Sequence, residues 1–167
     1  MSRLGDLMEI ERGGSPRPIS AFITDDVNGI NWIKIGDAAI GSKFITSTRE
    51  KITQEGAKRS RFVYPGDFII SNSMSFGRPY ILKTTGCIHD GWVVLRNPAK
   101  SFDLDYLFWL ITSPQIKLQF AQSAGGAVVK NLNIEKVKKA VVPVPPLNEQ
   151  KRIAERAAHF SEIISAL

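Results

Sequence analysis

Cysteine occurs once in the 167 residues, at Cys87, and histidine only twice, at His89 and His159. A single cysteine excludes an intramolecular disulfide framework and any cysteine-cluster metal site, and it suits a reducing, cytoplasmic compartment. Long apolar runs are also missing. The longest, Tyr106-Leu107-Phe108-Trp109-Leu110-Ile111, is far too short to span a bilayer. The opening Met1-Ser2-Arg3-Leu4-Gly5-Asp6 lacks the apolar stretch of a signal peptide. Neither a Walker loop nor a glycine-rich dinucleotide fingerprint is present, and no internal repeat or low-complexity tract appears. With 43% hydrophobic and 23% charged residues, global disorder is excluded and a real core is available. Acidic residues are in deficit, 16 against 22 basic ones, for a net charge of +6. That balance reads either as a polyanion-binding protein, most simply nucleic acid, or as an ordinary soluble basic protein.

The first hundred residues predict short strands with frequent turns. Asn31-Trp32-Ile33-Lys34-Ile35 alternates between two faces. Pro65-Gly66-Asp67 is a turn signal before Phe68-Ile69-Ile70-Ser71. Pro79 to Leu82 and Trp92 to Leu95 are further strands, punctuated by Gly86 and Gly91, and Gly13-Gly14-Ser15-Pro16-Arg17-Pro18 is a loop. After Pro98 the periodicity becomes helical. Ser101 or Asp103 can cap a helix through Leu104, Leu107, Phe108 and Ile111, and Pro114 opens another with Ile116, Leu118 and Phe120. A break at Ser123 to Ala127 precedes a short helix from Asn133 to Lys139 and an extended Ala140 to Val144. Pro145-Pro146-Leu147 then opens the most periodic segment. Its apolar residues Ile153, Ala157, Phe160, Ile164 and Leu167 are spaced as a heptad seam. A short helix is marginal alone, so the seam predicts cover, from a partner or from its own domain. The expected fold class is α+β: a β-rich domain with short helices over residues 1–144, then a coiled-coil-like helix over 145–167.

No arrangement convincingly performs a reaction. His89 lies beside Asp90, but neighbours on a strand point to opposite faces, which favours a hydrogen-bonded structural or DNA-facing histidine. His159 is expected in solvent. Asp37 with Glu50-Lys51 loosely resembles a nuclease metal site, yet the residue between the acid and the lysine is missing. Neither Asn72-Ser73-Met74-Ser75 nor Pro143-Val144-Pro145-Pro146 matches the Asn-Pro-Pro-Tyr type of loop with which an adenine methyltransferase holds an extruded base. No catalytic residue and no metal site is expected.

The residue types suited to DNA lie in the loops. Ser71, Asn72, Ser73, Met74, Ser75, Phe76 and Arg78 join two apolar strands. They offer phosphate donors, base-edge partners and an aromatic wedge; the alternative is a polar turn over a buried Phe76. Ser15 and Arg17 sit in a loop whose glycines let backbone approach a ligand, or in a plain surface turn. Lys34, Lys58, Arg59 and Arg61 read as phosphate contacts or as solvated cations. Lys130 and Asn131 follow a double glycine, with Lys136, Lys138 and Lys139 further on.

Asn28 to Asp37, then Ile52-Thr53, Gly56, Val63 and Pro65-Gly66-Asp67-Phe68-Ile69, resemble the target-recognition domain of type I restriction–modification specificity subunits. More specific is Val142-Pro143-Val144-Pro145-Pro146-Leu147-Asn148-Glu149-Gln150-Lys151-Arg152-Ile153, which in that family marks the passage into a conserved helix. Leu132-Asn133 and the short helix after them fit as well. The resemblance covers nearly the whole chain. It implies a non-catalytic, cytoplasmic subunit that reads double-stranded DNA and docks modification (DNA methyltransferase) and restriction/motor subunits. S-adenosylmethionine and ATP would be bound only by those partners, so no cofactor is expected on this chain. Family members usually carry two recognition domains; here there is one, with about three turns of terminal helix. A homodimer through that helix is expected, with a fragment that no longer assembles as the alternative. Two rivals remain: a protein that docks methyltransferase subunits without its own DNA specificity, and a free-standing nuclease.

Overall fold

The structure, a computed structural model, describes residues 1–72, 77–121 and 132–166. Strand β1 (Ser2–Arg3), helix α1 (Leu4–Leu7) and β2 (Glu9–Arg12) open the chain. After a 3-10 turn at Ile19–Ala21 come β3 (Ile23–Thr24) and β4 (Ile30–Ile33). A second such turn at Ile35–Asp37 precedes β5 (Phe44–Ile45) and β6 (Glu50–Ile52). Then follow α2 (Gln54–Ala57), β7 (Arg61–Val63), β8 (Phe68–Ser71), β9 (Pro79–Leu82), β10 (Gly86–Ile88) and β11 (Trp92–Arg96). The remainder is α3 (Leu104–Thr112), α4 (Pro114–Ala121), α5 (Ile134–Lys139), β12 (Val141–Val142) and α6 (Leu147–Ser165).

Two five-stranded sheets carry the fold, in the orders β3-β6-β4-β10-β7 and β2-β11-β8-β9-β5, while β1 pairs with β12. Among the described residues parallel pairing is confined to β4 with β10 and β5 with β9; the rest is antiparallel. The second sheet is a middle layer. Ile69, Tyr80, Trp92 and Val94 on one face meet Ile33, Val63 and Ile88 of the first sheet. Phe68, Ile70, Ile81, Val93 and Leu95 on the other meet Leu107, Ile111, Ile116, Phe120 and Val137 of the helices. Successive side chains on a strand point oppositely, so a strand covered on both sides is apolar throughout, and Phe68-Ile69-Ile70 shows that pattern. Each fully buried side chain of this size contributes about 1.5–3 kcal/mol. The outer face of the first sheet buries Trp32, Ile52 and Cys87 beneath Ile19, Ala57 and Phe62.

Local signals set the boundaries. Gly66 has φ +93°, a left-handed turn conformation that glycine supplies without a Cβ clash, and the Asp67 carboxylate closes the turn on the Tyr64 N–H. Asp103, rather than Ser101, caps α3, accepting from the Asp105 and Tyr106 amides. Asn133 caps α5 through the Glu135 amide. Strand β4 is shorter than the alternation of Asn31 to Ile35 suggests, because the chain turns at Ile35–Asp37 with Asp37 accepting from the Lys34 amide. The architecture is α+β as expected. The terminal helix is longer than expected: α6 has 19 residues, about five turns.

Among the described residues no helix is long and apolar enough to cross a membrane.

Candidate functional site

Most of the sequence-predicted DNA segments converge on one turn, His89-Asp90-Gly91, between β10 and β11. The Gly13–Pro18 loop packs directly on it. Gly13 N–H donates to Trp92 O at 2.9 Å and Gly14 N–H to Ile88 O at 3.1 Å. A Cβ on Gly13 would overlap the carbonyl oxygens of Ile88 and His89, so this close approach requires glycine. Asp90 then gathers the loop. Ser15 Oγ donates to its Oδ1 at 2.7 Å, Arg17 Nη2 to its Oδ2 at 3.3 Å, and Arg12 Nε to its backbone oxygen at 2.9 Å. The Ser15 hydroxyl, with Arg17 adding to it, holds the Asp90 carboxyl below the usual carboxylate range against the opposing effect of burial. Arg17 is exposed and Asp90 half-buried, so the cluster is a surface feature.

His89 sits beneath this loop between Trp32 and Trp92. Ile35 N–H donates to its Nε2 at 3.1 Å, and Gly91 N–H faces its Nδ1 at 2.6 Å. A neutral imidazole has one lone-pair nitrogen, so the two amides compete for it, and a second ring proton would oppose an N–H donor. Burial, chiefly, lowers the His89 pKa. The residue is a hydrogen-bonded structural histidine, one of the two roles expected of it. The strand-based reason for separating His89 from Asp90 does not hold, because both lie in a turn with Nδ1 3.6 Å from Oδ1.

Other predicted residues surround the same turn. Asn72 N–H donates to Gly91 O at 2.7 Å, and its carbonyl accepts from Leu132 N–H at 2.9 Å. Asn72, just after β8, and Leu132, just before α5, therefore meet beside the Asp90 turn. Lys34 lies next to the amide that bonds His89, and Arg61 pairs in register with Ile88. Arg59 and Ser60 pack beside Gly14.

The side chains differ from expectation in several places. Ser71 and Asn72 are 1% and 3% exposed, so they anchor the connection instead of presenting donors to a ligand. The cations are mostly matched by neighbouring acids. Lys34 pairs with Glu50, Lys58 with Glu55, and Arg61 with Glu11; Arg59 lies over the Phe22 ring at 5.1 Å. Arg17 carries its charge outward beside Asp90, and Arg78 is half-buried at the edge of a cleft. Ser73, Met74, Ser75, Phe76, Lys130, Asn131 and Leu167 lie outside the described residues. Asp90 carries no local signal for gathering a loop more than 70 residues away, whereas Arg12 is marked by its place immediately before Gly13-Gly14.

The loose nuclease pattern is consumed by structure. Asp37 accepts from the Lys34 and Arg49 amides, and Glu50 holds Lys34. Among the described residues no three His, Cys, Asp or Glu side chains gather as metal ligands.

Helix α6 begins on its own domain. Gln150, fully buried, donates from Nε2 to Ser101 O and Pro145 O, both at 2.9 Å, and accepts from Asp103 N–H at 2.8 Å. With Ala154 it forms the docking face against α3. The expected seam lies to one side of that face. Ile153 is 37%, Phe160 62% and Ile164 70% exposed, with Ala157 half-buried. The fold-back alternative thus describes only the first turns, through residues other than the seam.

The family model described as the type I restriction modification DNA specificity domain matches residues 1–166. A protein of Methanocaldococcus jannaschii named as a type I restriction enzyme MjaX specificity subunit is 28% identical over 98 residues, 59% of this chain and 23% of that protein. The crystal structure of the HsdS subunit from Thermoanaerobacter tengcongensis superposes with a TM-score of 0.75 at 23% identity, over 98% of this chain and 37% of that one. The type I restriction-modification S subunit from M. genitalium gives 0.61 at 13% identity, over 96% and 38%. The structural likenesses speak for the fold alone, and the chain spans well under half of each relative's length.

Proposed function

The chain belongs to the type I restriction modification DNA specificity domain family, and from that premise we propose that it binds double-stranded DNA in a sequence-specific manner. In this reading it acts as one half of a specificity subunit and directs methyltransferase and restriction subunits to the site, while S-adenosylmethionine and ATP stay on those partners. It performs no chemistry itself. The observation that carries the reading is the convergence of the Gly13–Pro18 loop, Asn72 and Leu132 on the Asp90 turn. A polar, loop-built surface on a two-sheet scaffold suits base and phosphate contacts. Selection of duplexes from a randomised library by the purified chain tests it: an enriched motif is expected, and its absence alongside tight methyltransferase-subunit binding would favour a docking protein without DNA specificity.

The exposed seam of α6 supports a second part of the reading. Phe160 and Ile164 with Ile153 form an apolar strip that a second copy of the helix can cover. A twofold dimer would read two half-sites in inverted orientation.

A further inference from the structure

Arg78 borders a cleft of about 350 Å³ between the Gly41–Ser42 segment and the α3–α4 pair, with Phe108, Thr112 and Lys117 on its walls. No acidic residue is among its described lining. The neighbouring Lys43, across Phe108, by contrast pairs with Asp105 at 2.6 Å. No carboxylate among the described residues lies within ion-pair distance of Arg78 or Lys117. Two cations without an ion-pair partner that line one concavity favour an anion there. Arg78 is also held for such a task, since its amide donates to Ser71 Oγ and its carbonyl accepts from the Ser71 amide, both at 3.0 Å.

The donor set selects among anions. Thr112 Oγ1 already donates within α3, to Phe108 O and Trp109 O, and Ser42 Oγ donates to Phe44 O. The cleft therefore offers two cations without a spare hydroxyl, and it is open. That suits a singly charged phosphodiester passing along a groove better than an enclosed phosphomonoester, which takes more donors. Arg78 is tied through its backbone to Ser71, next to the Asn72 that bonds the Asp90 turn, so the cleft adjoins the surface proposed above.

We propose that Arg78 and Lys117 clamp one backbone phosphate of the bound duplex, setting its register without reading its sequence. The proposal rests on the DNA-binding reading. The test uses the full chain and a duplex drawn from the library selection, with fluorescence anisotropy between 50 and 200 mM salt as roughly the range over which phosphate contacts are lost. For Arg78→Gln with Lys117→Gln, the slope of log K against log salt should flatten by about 0.9, one phosphate's worth. The single variants should be non-additive, because both serve the same phosphate, and Lys117→Arg should keep the slope. The selected motif should be unchanged, and affinity for matched and mismatched duplexes should fall by the same factor. Unchanged thermal midpoints show that the variants are folded. Normal binding by the wild type with an unaltered slope in the double variant overturns the clamp alone. So does a shifted motif, which would make these residues base readers, or loss of methyltransferase-subunit binding with DNA binding intact. Absence of DNA binding by the wild type overturns the clamp and the DNA reading together.

Discussion

Replacing Gln150 by leucine tests how α6 is fastened to the rest of the chain. The side chain is fully buried and makes three hydrogen bonds to backbone, with Asp103 N–H, Ser101 O and Pro145 O. Leucine keeps the volume roughly but leaves all three groups without their partner. An unsatisfied buried group costs about 1–3 kcal/mol. These backbone groups are only partly buried, so water recovers some of that, and the expected loss is about 2–4 kcal/mol in total. With a urea m-value of about 2 kcal/mol/M for a chain of this size, the unfolding midpoint drops by about 1–2 M. The same variant should loosen α6 ahead of the sheets, seen as faster amide exchange over Leu147 to Arg156. A glutamate at this position accepts from Asp103 but turns lone pairs toward two carbonyls, so it should be nearly as damaging at neutral pH. A midpoint shift below about 0.3 M for Gln150→Leu, well under one buried hydrogen bond, would refute the view that this residue anchors the helix.

Four further outcomes follow from particular residues. His89 is held neutral by burial. The unfolded chain takes up a proton near pH 6.5 that the folded state refuses, so stability falls as pH drops below that value. His89→Gln should remove this part of the slope between urea titrations at pH 7.5 and 5.5. Burial pushes the Cys87 thiol up to about 11, and labelling by a disulfide reagent at pH 8 should proceed no faster than unfolding; prompt labelling of the native chain contradicts this. Asp90→Ala removes the acceptor shared by Ser15 and Arg17. It should cost about 1 kcal/mol of stability, given the exposure of the pair, and weaken duplex binding more than it weakens the fold. Sedimentation should show a dimer for the wild type and a monomer for Phe160→Asp with Ile164→Asp; identical monomeric profiles for both would remove the dimer.

The helices from α3 onward were legible because they carry punctuation, with Asp103 before α3, Pro114 opening α4, Asn133 before α5 and Pro145-Pro146 before α6, whereas α1 and α2, of four residues each, are too short to show a period. The long central strands were legible too, since coverage on both faces leaves Phe68-Ile69-Ile70 and Trp92-Val93-Val94-Leu95 apolar throughout. Two- and three-residue strands such as β3, β5 and β10 were not, because a run that short has no period to detect. The candidate site followed the same division. Its loops announced themselves through glycine, proline and serine, but their meeting at Asp90 depends on pairings 75 and 73 residues apart, Ser15 with Asp90 and Arg17 with Asp90. Nothing local in the sequence encodes that. Pairing of Lys34 with Glu50 and of Arg61 with Glu11 is likewise a tertiary fact that a count of basic residues cannot convey, whereas Lys58 meets Glu55 locally, three residues away.

Hydrogen exchange of the full chain with and without a selected duplex tests the central claim most directly. The account predicts slowed exchange in peptides covering Gly13 to Pro18 and Ile88 to Trp92 on adding DNA, with little change over the solvent-facing half of α6. Protection confined to α6, or no protection anywhere at saturating duplex, would contradict it.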